Sequence, residues 1–467
     1  MPRQTETKSA NYVPVILAGA SNLELWPLSR VNHPIQFDIG LDGLSAFQRS
    51  MMLGADIAGG GTIWVSVASR CLDRARTQAE ALDIKNAIEF MVEPVERGNL
   101  AGLTAIALLL ARKNRANHFV AIESHRPPTN TGVLKRFCTH ALSSLPPPLP
   151  VILCADRKMQ SRSETVVLPV SSDATELHLH RVEGDDANAG RTLAPCGVMI
   201  SSVRGFLDML AKASPNLISE CTASMGMAQT LNRAIWPDLN KWSLLEPSEL
   251  HDIAHCEETS VFIRELDLQV SVNPSPSTQS HQPLTEEERY LTNCHNCSVN
   301  GSGIVVAMDG CSDLDVTVSR DAVVIRNKLA DAAEGSFGDQ LFATENALAF
   351  DSPRVMNKWG VETTLERRQG FAVKLLHIAA NQEIPAHLHS HRHESWQVLR
   401  GMAQMVIGDR AVRAGEGEIH TIPANTIHSV RALGDKPALL LVTRRGRFLS
   451  DSDQIEIEPP QRPSCAG

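Results

Sequence analysis

Seven of the 17 histidines in this 467-residue chain fall between His377 and His428. His387 and His389 are separated by one residue, Glu394 follows five positions later, and His428 lies downstream of Gly401, Gly417 and Pro423. Residues i and i+2 of a strand face the same way, so His387 and His389 present two imidazoles side by side. The odd offset from His389 to Glu394 would turn the carboxylate to the opposite face of an unbroken strand. The chain must therefore bend or bulge between them. His428 follows the turn residues Pro423-Ala424-Asn425, which return a strand toward the same place. Three imidazoles and one carboxylate suit a divalent metal such as Zn, Fe, Mn, Co or Ni and leave coordination positions open. One such histidine alone would more simply be a solvent-facing side chain on a polar loop; four groups at these spacings point to a metal centre. His391 and His393 alternate with the candidate ligands and read as bystanders, and His377 and His420 as structural residues.

The elements that would carry these residues are short strands broken by Gly and Pro: Phe371–Ile378, Trp396–Leu399, Gln404–Ile407, Glu418–Ile422 and Ala438–Thr443. That texture predicts a small sandwich or barrel from about Lys358 onward. The first half of the chain reads differently. Apolar runs at Tyr12–Leu17, Thr62–Val67, Phe119–Ile122 and Val151–Cys154 suit buried strands. Helices are expected at Arg74–Leu82, Leu100–Arg112, Phe206–Ala213 and Leu217–Arg233, with Pro215 between the last two. Strands alternating with helices predict a parallel sheet covered on both faces. Asn273–Glu288, rich in Pro, Ser and Gln, reads as a linker. β-like pieces follow at Gly303–Met308 and Val316–Ile325, then helix with loop over Lys328–Phe350. The expected division is an α/β domain over 11–270, a linker and short β region over 271–345, and an all-β domain over 346–460.

Composition narrows the class. Hydrophobic residues make up 43% and charged residues 21%, with a formal net charge of -9. This is a soluble globular balance, which excludes global disorder, collagen and coiled coil. An acidic chain is not expected to bind nucleic acid generally. The longest apolar stretch, near Leu103–Ala111, is shorter than the roughly 20 residues a bilayer needs. The polar segment Met1–Ala10 lacks the apolar core of a secretory signal. A cytoplasmic protein with no membrane partner is the expectation. Ten cysteines are sparse for a disulfide framework,. Cys294 and Cys297 form a CxxC without a second pair or a suitably spaced His pair, so free thiols are the simpler reading.

With these residues in view, the chain resembles the bifunctional type II mannose-6-phosphate isomerase/mannose-1-phosphate guanylyltransferase family. The HxHx4Ex6G pattern, followed by Gx5P and a histidine five beyond, is the two-part cupin pattern. The family's QMHHHRAEHW stretch matches His387 through Trp396, with His387 in place of its Gln ligand. Its PWG element matches Lys358-Trp359-Gly360, and its FQVKRI matches Phe371 through Leu376. At the other end, the family's LSGGSGTRLWPLSR matches Leu17 through Arg30, with Trp26-Pro27-Leu28-Ser29-Arg30 intact. Glu93, Pro94 and Arg97 match the EP-x-x-RN motif, and Trp236 through Trp242, including Asp238, matches WSDVGSW. The resemblance covers most of residues 12–457. It implies a nucleotide-sugar-transferase-like, Rossmann-like α/β domain followed by a jelly-roll cupin barrel. It also implies interconversion of mannose 6-phosphate and fructose 6-phosphate at a metal held by His387, His389, Glu394 and His428. Arg392 would clamp phosphate or stabilise the enediolate, if it is not simply a surface residue on a turn, and Lys374 would bind phosphate. Nucleotide-site positions carried over are Gly19, Ser21, Arg30, Glu93, Arg97 and Asp238.

The first-half motif is altered where phosphate would sit. Two of its three glycines are Ala20 and Asn22, its Arg is Glu24, its Lys is Ile35, and the Mg-binding Asp aligns with Ser124. A charge pair at 4 Å is worth about 4 kcal/mol at an effective dielectric near 20, and Glu24 inverts its sign. The expectation is a metal-dependent isomerase with an impaired guanylyltransferase half, serving GDP-mannose and polysaccharide precursor synthesis. Its partners would be a phosphorylated hexose, weakly bound GTP or GDP-mannose, and a second copy or an active paralogue. Mg with GTP enters only if the transferase works. The alternatives are a sugar-nucleotide-binding regulatory pseudo-enzyme and a still-bifunctional enzyme.

Overall fold

The computed structural model describes residues 12–40, 42–113, 118–145, 147–156, 168–170, 179–181, 191–193, 195–250, 252–255, 261–270, 289–301, 304–329, 336–447, 449 and 453–457. The linker read at Asn273–Glu288 lies outside them. The chain divides into two compact units, Met1–Asp351 and Ser352–Gly467.

The first unit is built on a ten-stranded sheet. At its centre Tyr12–Ala18 pairs in parallel with Ile63–Ala68 on one side and His118–Glu123 on the other. Alternate residues of Tyr12–Ala18 feed different cores. Val15 and Leu17 pack with Leu103, Ile106 and Phe206, and Ile16 and Ala18 with Phe47, Met51 and Leu134. That period of two places apolar layers on both faces, which is why the strand reads as a continuous hydrophobic run. The helix Ala46–Ala58 starts at a capping box formed by Ser45 and Gln48, and Asn99–Lys113 buries its small residues Ala101, Ala105 and Ala107.

The sheet departs from the all-parallel expectation. Pro195–Ser202 lies between His118–Glu123 and Val151–Asp156 and runs antiparallel to both. An antiparallel neighbour needs no helical crossover, so the strand–helix alternation alone could not reveal it. The helix expected over Leu217–Arg233 spans only Pro215–Gly226. Gln229–Leu231 and Ala234–Trp236 then form a hairpin, turned by Asn232 and Arg233 at φ 48° and 58°.

Residues 289–301 and 304–327 form a small coil. Arg289–Thr292 pairs in parallel with Val306–Asp309, and Ser298–Gly301 with Leu314–Val318. Each residue pairs with the one seventeen positions on, as Arg289 with Val306 and Ser298 with Asp315. Val323–Asn327 closes the stack antiparallel to Leu314–Val318. The stretch read as one β piece over Val316–Ile325 is thus a hairpin.

The second unit is all-β. One sheet orders Arg354–Asn357, Gly360–Arg368, Phe371–Ile378, Ala438–Gly446, Arg392–Arg400 and Ile419–Ile422; the other orders Arg410–Ala414, Ala403–Ile407, His428–Ala432, Glu383–His389 and Gln454–Glu456. All pairings are antiparallel. Leu376, Ile378, Trp396, Val398, Met405, Val430 and Leu440 fill the space between the sheets. This is a cupin barrel. Gly401 turns the chain between two strands at φ 82°, where an L side chain would be strained,. No helix among the described residues is long and apolar enough to cross a membrane.

Candidate metal centre and nucleotide-binding edge

His387 and His389 lie two apart on Glu383–His389, and both are buried. His387 is the register partner of His428 on the adjacent strand His428–Ala432. Ring centroids are 4.2 Å apart for His387–His428, 4.9 Å for His387–His389 and 5.1 Å for His389–His428. One ring nitrogen from each lies within 4.8 Å of the other two. The strand break expected before Glu394 is present: Ser390 and His391 separate Glu383–His389 from Arg392–Arg400.

Hydrogen bonds fix how the rings present themselves. His387 Nδ1 donates to Pro385 O at 2.7 Å and His428 Nδ1 to Thr426 O at 2.8 Å, so both keep an Nε2 lone pair. His389 Nε2 sits 3.2 Å from Glu394 Oε1 and 3.1 Å from Arg392 Nη2. In the tautomer whose Nε2–H faces Glu394, His389 keeps the Nδ1 lone pair. His389 Nδ1 and His428 Nε2 are buried and have no hydrogen-bond partner. A buried polar atom without a partner carries a desolvation cost that coordination would remove. Burial, followed by the like-charged neighbour His428, pushes His387 down to about 4. Burial also leads at His389, where it outweighs the attraction of Glu394 and takes the ring down to about 3. Burial lowers His428 as well. Neutral imidazoles are the ligand form, so the donor set fits a divalent ion.

Glu394 stands beside this group rather than within it. Its Oε1 is 2.9 Å from Arg444 Nε and 3.0 Å from Arg392 Nε, and its Oε2 accepts from Trp396 Nε1 at 2.8 Å. Burial alone would raise this carboxyl. Arg444, then His389 and Arg392, overcome that and hold it well below the usual range. Arg392 is fully buried, not on a surface turn. Lys374 is buried in the barrel and ion-paired with Glu362. His391 Nδ1 bonds Asp453 Oδ1 at 2.8 Å, and the Asp453 carboxylate also accepts from Ser390 N and His391 N. His393 Nδ1 accepts from Ala424 N, and His420 lies 3.6 Å from Glu418. His377 is exposed on Phe371–Ile378. Sequence reading missed Arg444, Glu362 and Asp453. Arg444 had a signal: Leu440, Val442 and Arg444 alternate on one face, so a guanidinium follows two core residues inward,.

In the first unit, the carried-over positions gather where Tyr12–Ala18 and its neighbours end, the edge at which open α/β sheets bind ligands. Gly19 is packed so closely that a Cβ would collide with the buried Glu93 carboxylate. Glu96 Oε1 accepts from Ser21 N at 2.6 Å and Ser21 Oγ at 2.9 Å, while its Oε2 pairs with Arg70. Glu249 Oε2 accepts from Asn99 N at the start of Asn99–Lys113, and Asn99 Nδ2 bonds Glu123 Oε1, each at 3.2 Å. Burial raises Glu24 and Glu93 to about 7; burial and then Glu123 raise Glu249 to about 8. Arg30 is fully buried and pairs with Asp321 at 2.9 Å. Arg97 Nη2 donates to Ser243 O at 2.7 Å, and Asp238 caps Leu239–Trp242 by accepting from Lys241 N at 3.0 Å. Ser124 is buried.

Residues 345–459 match the family model described as mannose-6-phosphate isomerase C-terminal. The chain is 23% identical to mannose-1-phosphate guanylyltransferase RfbM of Salmonella typhimurium, over 96% of this chain and 97% of the relative. It is 22% identical to alginate biosynthesis protein AlgA of Pseudomonas aeruginosa, over 96% of each. Over nearly its whole length the chain is thus similar to mannose-1-phosphate guanylyltransferases, and its last quarter matches the mannose-6-phosphate isomerase C-terminal family. A solved structure from Thermus thermophilus, described as mannose-1-phosphate geranyltransferase, is similar in fold to this chain with TM-score 0.51 and 16% identity. The match covers 68% of this chain and 95% of that one.

Proposed function

We propose that the chain acts in GDP-mannose and polysaccharide precursor synthesis as a metal-dependent mannose-6-phosphate/fructose-6-phosphate isomerase with an impaired guanylyltransferase half. The observation that carries the isomerase reading is the pair of buried, unpartnered ring nitrogens on His389 and His428, set against His387. A divalent ion held by these three imidazoles would stabilise the oxyanion that develops as a proton moves between C1 and C2. Glu394 anchors the His389 ring, a partner that fixes a ligand's tautomer and orientation. Arg392 and Arg444 compensate the Glu394 charge and keep two guanidiniums beside the reacting position. Trp396, 5.2 Å from the His428 ring, holds that ring edge-on and excludes water,.

The impaired half is supported by carboxylates standing where a triphosphate would need donors. Glu96 occupies the Ser21 N–H and Glu249 the Asn99 N–H. Backbone N–H groups at loops and helix starts are what anionic phosphates bind. Glu24, in place of the motif's Arg, leaves a carboxyl group where a cation would meet phosphate.

One observation favours a second reading, a sugar-nucleotide-binding regulatory pseudo-enzyme. Arg392 and Lys374, the cations offered for phosphate, are already paired with Glu394 and Glu362. Metal analysis with paired assays on one sample tests both. Stoichiometric divalent metal with mannose 6-phosphate turnover, both lost in His389→Ala, is expected. Metal-free protein without turnover would leave the pseudo-enzyme. Pyrophosphate exchange with GTP and mannose 1-phosphate at ordinary rates would show the transferase intact.

A further inference from the structure

Eight of the cysteines are described and none is bridged. Five of them, Cys71, Cys138, Cys154, Cys196 and Cys221, are buried in the first unit, and burial raises each thiol. Cys294, Cys297 and Cys311 differ: all three are partly exposed and sit on the coil of residues 289–301 and 304–327. The coil repeats every seventeen residues, so Cys294 and Cys311 occupy equivalent places in successive turns. Thr292 pairs with Asp309 just before them and His295 bridges Ser312 just after. The flanking corners repeat as well: Asn293 and Gly310 have φ 52° and 65°, and Asn296 and Asp313 have φ 51° and 56°. Both thiols point the same way, Cys294 Sγ to Thr292 O at 3.3 Å and Cys311 Sγ to Asp309 O at 3.5 Å. Cys294 Sγ also reaches across to Met308 O, 3.5 Å away on the neighbouring turn. Cys297 Sγ likewise bonds the carbonyl two residues back, His295 O at 3.4 Å, but lies past the corner at Asn296.

We propose that Cys294 and Cys311 form a reversible disulfide that staples successive turns of the coil, with a low-molecular-weight disulfide as oxidant. Adjacent strands lie about 4.8 Å apart, inside the Cα separation of roughly 4.4–6.8 Å that a disulfide spans. The Cys294 thiolate attacks one sulfur of the oxidant RSSR, forming a mixed disulfide and expelling RS⁻. Cys311, having lost its proton to solvent, attacks Cys294 Sγ, and the second RS⁻ leaves. Two protein thiols are oxidised, RSSR is reduced to two RSH, and the two protons released are taken up by the two RS⁻. The pairing skips the CxxC partner, because Cys311 and not Cys297 holds the place of Cys294 on the next turn.

Full-length protein equilibrated with oxidised and reduced glutathione at a fixed ratio, then alkylated and mapped by mass spectrometry without reduction, decides the matter. The expected result is one cross-linked peptide pair joining Cys294 to Cys311 and the loss of two titratable thiols, reversed by dithiothreitol. Cys297→Ser retains the cross-link and Cys311→Ser abolishes it. A Cys294–Cys297 bridge, full retention of thiols in excess oxidised glutathione, or stoichiometric zinc bound to the wild-type coil cysteines and lost in Cys297→Ser would overturn it.

Discussion

At the scale of single residues, the second unit concentrates its polar energy on Glu394. The carboxylate meets two guanidiniums, an imidazole and an indole N–H with almost no solvent. Removing one partner of a buried ion pair leaves the other uncompensated, at a cost of about 3–5 kcal/mol. Glu394→Gln should therefore lower stability by roughly that much, read as a drop in the denaturant midpoint. Arg444→Met should do less damage, because Arg392 still faces the carboxylate. The ligand set separates differently. His389→Ala and His428→Ala should each abolish stoichiometric metal uptake by elemental analysis. His391→Ala should retain it, since that ring serves Asp453.

At the scale of strands and turns, the imidazoles make the barrel sensitive to acid. Their folded values are lowered, so between about pH 6.5 and about pH 4 the unfolded chain binds more protons than the folded one,. Stability is full above pH 6.5 and falls as pH drops through that window, at up to about 1.4 kcal/mol per pH unit for each histidine. Thermal melts of metal-free protein from pH 7 to pH 4.5 should show the fall, and His387→Ala should flatten it. The strand pattern was legible where periodicity was clean: Phe371–Ile378 was read with its bounds, and the buried run at Tyr12 ends at Ala18. It failed where the period carried a polar residue inward, as at Arg444 and Lys374, because alternation reports burial and not what partner waits there. It failed again at Leu217–Arg233, where helix-forming residues run into a hairpin that only left-handed Asn232 and Arg233 reveal. The spacing of His387, His389 and His428 was enough to expect that the three rings meet, as they do. That Glu394 spends its oxygens on arginines was invisible, since neither guanidinium's direction is encoded in a spacing.

At the scale of the whole chain, the first unit packs a ten-stranded sheet between two apolar cores, while carboxyl groups occupy the edge at which open α/β sheets bind ligands,. A scaffold held by two apolar layers does not depend on the loop chemistry at its rim, so activity can fade without unfolding. Restoring charge at one place should not restore turnover. The double variant Glu24→Arg/Ile35→Lys should stay below detection in a pyrophosphate-release assay. Adding Glu96→Gly, which frees the Ser21 N–H and leaves Arg70 without its carboxylate, should raise GTP affinity at least tenfold by calorimetry.

The seventeen-residue repeat of the coil sets a rule for its own growth. Each rung hydrogen-bonds its neighbour in a fixed register, so the stack can lengthen only in whole turns, like a staircase that accepts complete steps. Duplicating residues 295–311 should add a rung and leave melting cooperative. Duplicating eight or nine residues should put the corner asparagines out of phase and broaden the transition seen by circular dichroism.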